Sequence, residues 1–238
     1  MSSQEVFKAG ERAMQEARWE DAVQMFGRVS QQDPNYADAL YYKAQALSNA
    51  GHFDDAIVAF DRAIQRVGHG TNYEADILVS KGDALIEMDR LADAEACYDR
   101  ALSIKPRLAR AWVHKARIEA RRKHYQQSAD YCDRALALDP KEYRAWNNKA
   151  FALCQLGRFD ECIRCAKEAI KLKPDYTMAY YHMARAYEAK GDPRRARKYD
   201  EQFQQLIQRQ RGMMLERMVG QKPVHPSPPR KKRWPFWR

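Results

Sequence analysis

Glycine and proline are scarce, ten of each in 238 residues, while Ala, Leu, Arg, Lys, Glu and Gln abound. That balance argues against sheet and for helix. No stretch approaches the roughly 18 apolar residues that a membrane span requires, and the start, Met1 to Val6, turns polar without an apolar run, so neither a spanning helix nor a secretory leader is expected. The cysteines are few and odd in number, five between Cys97 and Cys165, which argues against a disulfide framework and for a reducing, cytoplasmic setting. No Gly-rich phosphate loop precedes a helix, and no Ser-His-Asp or paired-carboxylate arrangement stands out. The sequence therefore offers no reaction, no cofactor, no metal site and no small-molecule substrate.

What is present begins with a hydrophobic content of 45%, enough for a sizeable core, and a net charge of +10. The charge is unevenly placed. From Arg211 onward eight cations face the single acid Glu216, a net of +7, which leaves +3 for everything before. A nearly neutral body with a basic tail points to a local electrostatic contact rather than a broad nucleic-acid footprint.

Internal periodicity decides the architecture. Pro106, Pro140 and Pro174 recur every 34 residues, and the longer interval back to Pro34 holds one more unit plus four extra residues, Thr71 to Glu74. Six units follow: residues 3–36, 37–70, 75–108, 109–142, 143–176 and 177–210. Their eighth register is Gly10, Ala44, Gly82, Ala116, Ala150 and Ala184, always small. The twentieth holds Ala22, Ala56, Ala94, Ser128, Cys162 and Ala196, and four places on come Phe26, Phe60, Tyr98, Cys132, Ala166 and Asp200. Small residues let antiparallel helices approach, and large ones such as Leu40, Trp112 and Trp146 at the fourth register fill the space between them.

These registers, with Trp146-x-x-Lys149-Ala150-x-x-Leu153, Ala56-x-x-x-Phe60, Ala94-x-x-x-Tyr98 and the closing Asp33-Pro34, Asp139-Pro140 and Lys173-Pro174, resemble the tetratricopeptide repeat family over residues 3 to about 210. The resemblance implies an all-α fold, a right-handed α-solenoid of about six helix-turn-helix repeats. Gly51, Gly157 and Gly191 mark turns between helix A and helix B. Where the family usually has Leu before the small residue, this chain has Lys43, Lys81, Lys115 and Lys149, whose stems can lie on apolar surface with the ammonium in water. From the end of the sixth repeat onward, Phe203, Leu206, Ile207, Met214, Leu215 and Met218 keep helical spacing, so residues 211–220 are expected to extend a C-terminal capping helix.

In such a solenoid helix A lines the concave groove, and residues at i, i+3, i+4 and i+7 share that side. Repeat four offers Arg110, Val113, His114, Arg117 and Arg121; repeat five Arg144, Asn147, Asn148 and Phe151; repeat six Met178, Tyr181, His182 and Arg185. This half is basic and partly aromatic. Repeats two and three offer Asp38, Tyr41, Tyr42 and Gln45, then Asp76, Val79, Ser80, Asp83 and Glu87, an acidic centre. One reading is a non-catalytic scaffold or adaptor that holds a partner peptide, with an acidic stretch or a C-terminal carboxylate against Arg110, Arg117, Arg144 and Arg185. The other is a solvated face whose arginines meet neighbouring acids. Some family members grip the acidic carboxy terminus of cytosolic chaperones through Lys, Asn, Asn, Lys and Arg on three A helices. Only Asn148 falls in register here, against Val113, Arg117, Met178 and His182 at the others, so that clamp is not carried over.

Cys162 and Cys165 have redox-like spacing, yet the reading preferred is that Cys162 fills the small register. His114 and His182 lie one per helix with no third ligand evident, which favours polar lining over metal binding. In residues 221–238, Pro223, Pro226, Pro228 and Pro229 precede Arg230, Lys231, Lys232, Arg233, Trp234, Phe236 and Trp237. This is expected to be a disordered basic aromatic arm, suited to an anionic membrane surface, to single-stranded nucleic acid, to nuclear import if the source is eukaryotic, or to a partner protein, the alternative being a solvated tail that binds nothing. The alternative function is thus a peripheral membrane or nucleic-acid adaptor tethered by the tail.

Overall fold

The computed structural model describes residues 2–220, which form twelve α-helices and no strand. They come as antiparallel pairs: α1 (Ser3–Gln15) with α2 (Trp19–Gly27), α3 (Tyr36–Ala50) with α4 (Phe53–Val67), α5 (Asn72–Glu87) with α6 (Leu91–Ile104), α7 (Ala109–Arg121) with α8 (Tyr125–Leu138), α9 (Tyr143–Gln155) with α10 (Phe159–Leu172), and α11 (Thr177–Ala189) with α12 (Pro193–Gly220). Each helix packs on the one before and the one after, and from α3 to α11 each odd helix also touches the next odd one. The even helices make no comparable contact with one another among the described residues. The odd helices are therefore the shorter inner wall of a right-handed α-solenoid, and they own its concave face.

Every turn inside a pair uses one left-handed residue at the same register: Ala17, Gly51, Asp89, Lys123, Gly157 and Gly191, with φ from 56° to 86°. The next N–H then donates to the carbonyl five residues back, as Arg158 does to Leu153 at 2.9 Å, which closes helix A. Glycine meets this geometry freely, whereas Ala17, Asp89 and Lys123 hold it at roughly 1–2 kcal/mol each. Glycine alone therefore flags only half of these turns. At the opposite end of two repeats the fourth-register aromatic ties down the closing proline: Trp146 Nε1 donates to the Pro140 carbonyl (2.9 Å) and the Tyr180 hydroxyl to that of Pro174 (2.8 Å).

The registers pack as small against large. Tyr98 and Phe60 are fully buried, and a Cβ on Gly82 would stand 2.6 Å from the Tyr98 ring, so this pair of helices closes only over glycine. The seventh-register lysines do more than snorkel. Lys81 reaches Asp61 at 2.6 Å, and Lys115 and Lys149 reach Asp99 and Asp133, each on helix B of the preceding repeat. Where the family usually has Leu, this chain has built a Lys-to-Asp ladder between repeats.

The four-residue insertion has a structural use. It lengthens α5 at its front, where Thr71 caps the helix through Glu74 N–H (3.0 Å). The Glu74 carboxylate is wholly buried, accepts from Gly70 N–H at 2.6 Å and pairs with Arg100 on α6.

One expectation needs correction. Cys154 on α9 and Cys162 on α10 form a disulfide, with Cα atoms 5.4 Å apart, while Cys97, Cys132 and Cys165 are free and buried. Cys162 does fill the small register, but reading cysteines along one helix missed that a residue late in helix A faces the twentieth register across the turn. Closing so short a loop stabilises by about 2–3 kcal/mol. Without reductant, the denatured chain should titrate three thiols and not five, and reduction should lower stability by about that amount; five titratable thiols would contradict the bond.

α12 runs unbroken from Pro193 to Gly220, and Phe203 sets its ring 5.6 Å from that of Tyr181. No described helix is long and apolar enough to cross a membrane. The tail candidates Arg230, Lys231, Lys232, Arg233, Trp234, Phe236 and Trp237 lie outside the described residues.

Candidate peptide-binding face

The concave wall divides by charge and by how much of that charge is already matched. At the α3 end, aromatic rings are used for packing. Tyr42 stacks on Phe26 at 5.5 Å and meets Phe7 edge-on at 5.9 Å. Tyr41 sits 5.7 Å from Tyr73 and shares a hydrogen bond with Ser80 (3.1 Å), while Tyr73 donates its hydroxyl to Asp38. Both candidate tyrosines are partly buried and tie the first three repeats together.

Between α5 and α7 the acids of repeat three meet the bases of repeat four. Asp83 lies 2.9 Å from Arg110 and 2.8 Å from His114 Nδ1, and it accepts from the Tyr98 hydroxyl at 2.9 Å. Burial opposes the Asp83 charge, yet His114, Arg110 and Tyr98 together hold its carboxyl below the usual range. Arg117 pairs with Glu87 at 2.7 Å, and Arg121 with Asp89 at 3.2 Å and the Ile86 carbonyl at 2.9 Å. The arginines of α7 thus do meet neighbouring acids. Those of the outer pairs are well exposed, Glu87 at 45% and Asp89 at 83% of side-chain area, so each pair is worth about 1 kcal/mol or less and can exchange for another carboxylate.

On α9 and α11 the arginines meet no acid of the preceding odd helix. Arg144 donates to the Tyr143 hydroxyl (3.1 Å), lies over that ring and has no carboxylate partner among the described residues. Arg185 has only Glu188 on its own helix (2.6 Å) and lies over Tyr181. Asn148 and Phe151 are partly exposed, with Phe151 6.0 Å from Tyr125 and 5.6 Å from His182.

His114, Asn147 and His182, placed on the groove by helical spacing, are instead buried, 7%, 5% and 4% exposed. His114 turns back onto Asp83 of α5 and the Tyr98 ring of α6, and His182 onto Phe151 of α9. Burial pushes the His182 imidazole down to about 4, so it is neutral. No group of three His, Cys, Asp or Glu among the described residues is arranged to hold a metal ion.

A pocket of about 330 Å³ opens between the C-terminal ends of α7 and α9, with Tyr125 and Phe151 as its floor and Arg117, Arg121, Lys123 and Asn148 around it. Lys123 and Tyr125 belong to the turn and to α8, so no reading of helix A alone would find them. The signal available in sequence was a cation at the turn register followed two places on by an aromatic.

Tetratricopeptide repeat models match residues 13–74, 79–143, 143–176 and 178–210. The chain belongs to the tetratricopeptide repeat family. No curated protein matches it. Among solved structures, a tetratricopeptide repeat protein from Parabacteroides merdae ATCC 43184 superposes with a TM-score of 0.65 at 19% identity, over 84% of this chain and 78% of that one. A crystal structure of MamA gives 0.57 at 21% identity, over 71% and 96%. MamA 41-end from Desulfovibrio magneticus RS-1 gives 0.59 at 19%, over 73% and 96%. At these identities the likeness is one of fold. A tetratricopeptide solenoid is a scaffold for contacts with other proteins.

Proposed function

We propose that this protein is a non-catalytic scaffold or adaptor that holds a partner peptide along the inner faces of α7, α9 and α11, with an acidic stretch or a free carboxylate against its cations. The observation that carries this reading is the change in matching along the wall. The acids of α5 neutralise the arginines of α7, whereas Arg144 and Lys123 present cations with no carboxylate partner among the described residues. A guanidinium that has to share its donors only with a tyrosine ring and hydroxyl keeps its planar fork available for a carboxylate.

The test is affinity for a labelled twelve-residue peptide of alternating Glu and Ala, measured with the intact chain. Binding should weaken with added salt, and Arg144→Glu combined with Arg185→Glu should weaken it by about tenfold or more, while Arg164→Glu on α10 should not. Unchanged affinity in the double variant would reject the reading. The tail adaptor stands beside it on sequence alone, on four consecutive cations followed by Trp234, Phe236 and Trp237.

A further inference from the structure

The pocket between α7 and α9 has two unlike parts. Its floor is apolar and aromatic: Tyr125 and Phe151 meet edge-to-face at 6.0 Å, with Phe151 braced from behind by His182. Around that floor stand Arg117, Arg121 and Lys123, with the Asn148 amide on the α9 side and no acidic residue in the lining. A purely electrostatic site would not need the aromatic floor, and a purely apolar groove would not carry three cations at its mouth.

Size narrows the occupant. At about 330 Å³ the space sits at the bottom of the roughly 300–1,000 Å³ range of small-molecule sites. That suits one bulky side chain with its own backbone and is too small for most cofactors. The rigidity of the surroundings points the same way. Lys123 is fixed in left-handed backbone at the turn, and the chain beyond it is closed by His124 N–H on the Glu119 carbonyl at 2.9 Å, with Glu119 buried and paired to Arg122. The Lys123 side chain therefore leaves from a defined point at the rim.

We infer that this pocket is an anchor site for one large apolar residue of a partner peptide, Phe, Leu or similar, carrying a carboxylate beside it. The inference rests on the groove reading above and names the residue class that the groove selects. The apolar side chain covers Tyr125 and Phe151. The carboxylate, from the peptide's own C terminus or from an adjoining Asp or Glu, meets Lys123 and takes the place of Glu87 or Asp89 on Arg117 or Arg121. Asn148 is positioned to donate to a peptide carbonyl. The pairing is a demand of the geometry, because the floor and the cations bound the same small volume.

Fluorescence anisotropy with the intact chain tests this with four Gly/Ser-based ten-residue peptides. The first ends in Glu-Phe with a free carboxylate, the second is the same peptide amidated, the third has Gln in place of Glu, and the fourth has Ala in place of Phe. The Ala peptide should bind about tenfold or more weakly than the first, and so should the peptide whose carboxylate source is the one used. Phe151→Ala should abolish the preference for Phe over Ala, with Phe151→Leu restoring it, and Lys123→Glu should abolish the preference for the carboxylate peptide over its neutral counterpart. Lys123 is exposed, so its variant reads the pocket even if Phe151→Ala disturbs packing. Binding that depends on Arg144 but is indifferent to Phe, to Phe151 and to Lys123 overturns the anchor and leaves the groove standing. Absence of binding by all four peptides overturns the anchor, and the groove with it if the alternating Glu peptide also fails.

Discussion

Arg100→Met should cost about 3 kcal/mol of stability. Glu74 has no exposed side-chain surface, and its carboxylate is matched by Arg100 from α6 and by the Gly70 N–H at 2.6 Å. Removing the guanidinium leaves the buried carboxylate with the Gly70 N–H and the exposed His69 ring at 3.3 Å, and breaking such a pair costs about 3–5 kcal/mol. The lower end applies because Arg100 is itself 47% exposed and the pair is partly screened. Urea unfolding measures it. Replacing both partners, Glu74→Met with Arg100→Met, removes the uncompensated charge and should recover part of the loss. A single variant as stable as the parent, or a double variant worse than the sum of the singles, would contradict the role assigned to the insertion.

The second large effect is with pH. Burial alone holds His182 near 4, below its usual value of 6.5. As pH falls through 6.5 the unfolded chain takes up a proton that the folded chain refuses until about 4, so stability is complete above the higher value and is lost across that window. The contribution between pH 7 and pH 5 is about 2 kcal/mol, reaching about 3 kcal/mol below pH 4. Denaturant midpoints at the two pH values should show this slope in the parent and lose most of it in His182→Gln. An equal slope in both would place the acid sensitivity elsewhere. Because His182 braces Phe151, acid should also loosen the pocket floor before the chain unfolds.

The repeats were legible because their signal is local. Gly10 and Gly82 at a register otherwise Ala, with Phe26 and Tyr98 sixteen residues on, are the two sides of one contact, and a period of 34 carries them into phase. The ladder of Lys81, Lys115 and Lys149 was visible only as a departure from the family, since its partners Asp61, Asp99 and Asp133 lie sixteen to twenty residues upstream in another repeat. The groove was half legible. Spacing put Arg110, Arg117 and Arg121 on one side of α7, but it gave Asp83, Glu87 and Asp89 no distance from them, so a seam of matched pairs looked like two separate patches. His114 and His182 were misjudged because an inward stripe spans about 100° of helix, and its flank turns into the neighbouring helix. Lys123 and Tyr125 were missed since they reach the pocket from a turn and from helix B. Cys154 was missed for a similar reason, its partner being across the hairpin.

The central claim, that a carboxylate-bearing peptide lies on the inner wall at α7, α9 and α11, is tested most directly by photo-crosslinking. A Glu-rich peptide with a benzophenone in place of its apolar residue is irradiated with the intact chain, and the adducts are mapped by mass spectrometry. The account predicts adducts around Lys123, Tyr125 and Phe151, competed away by the unlabelled peptide. Adducts confined to the outer row, α10 and α12, or no competable adduct at all, would contradict it.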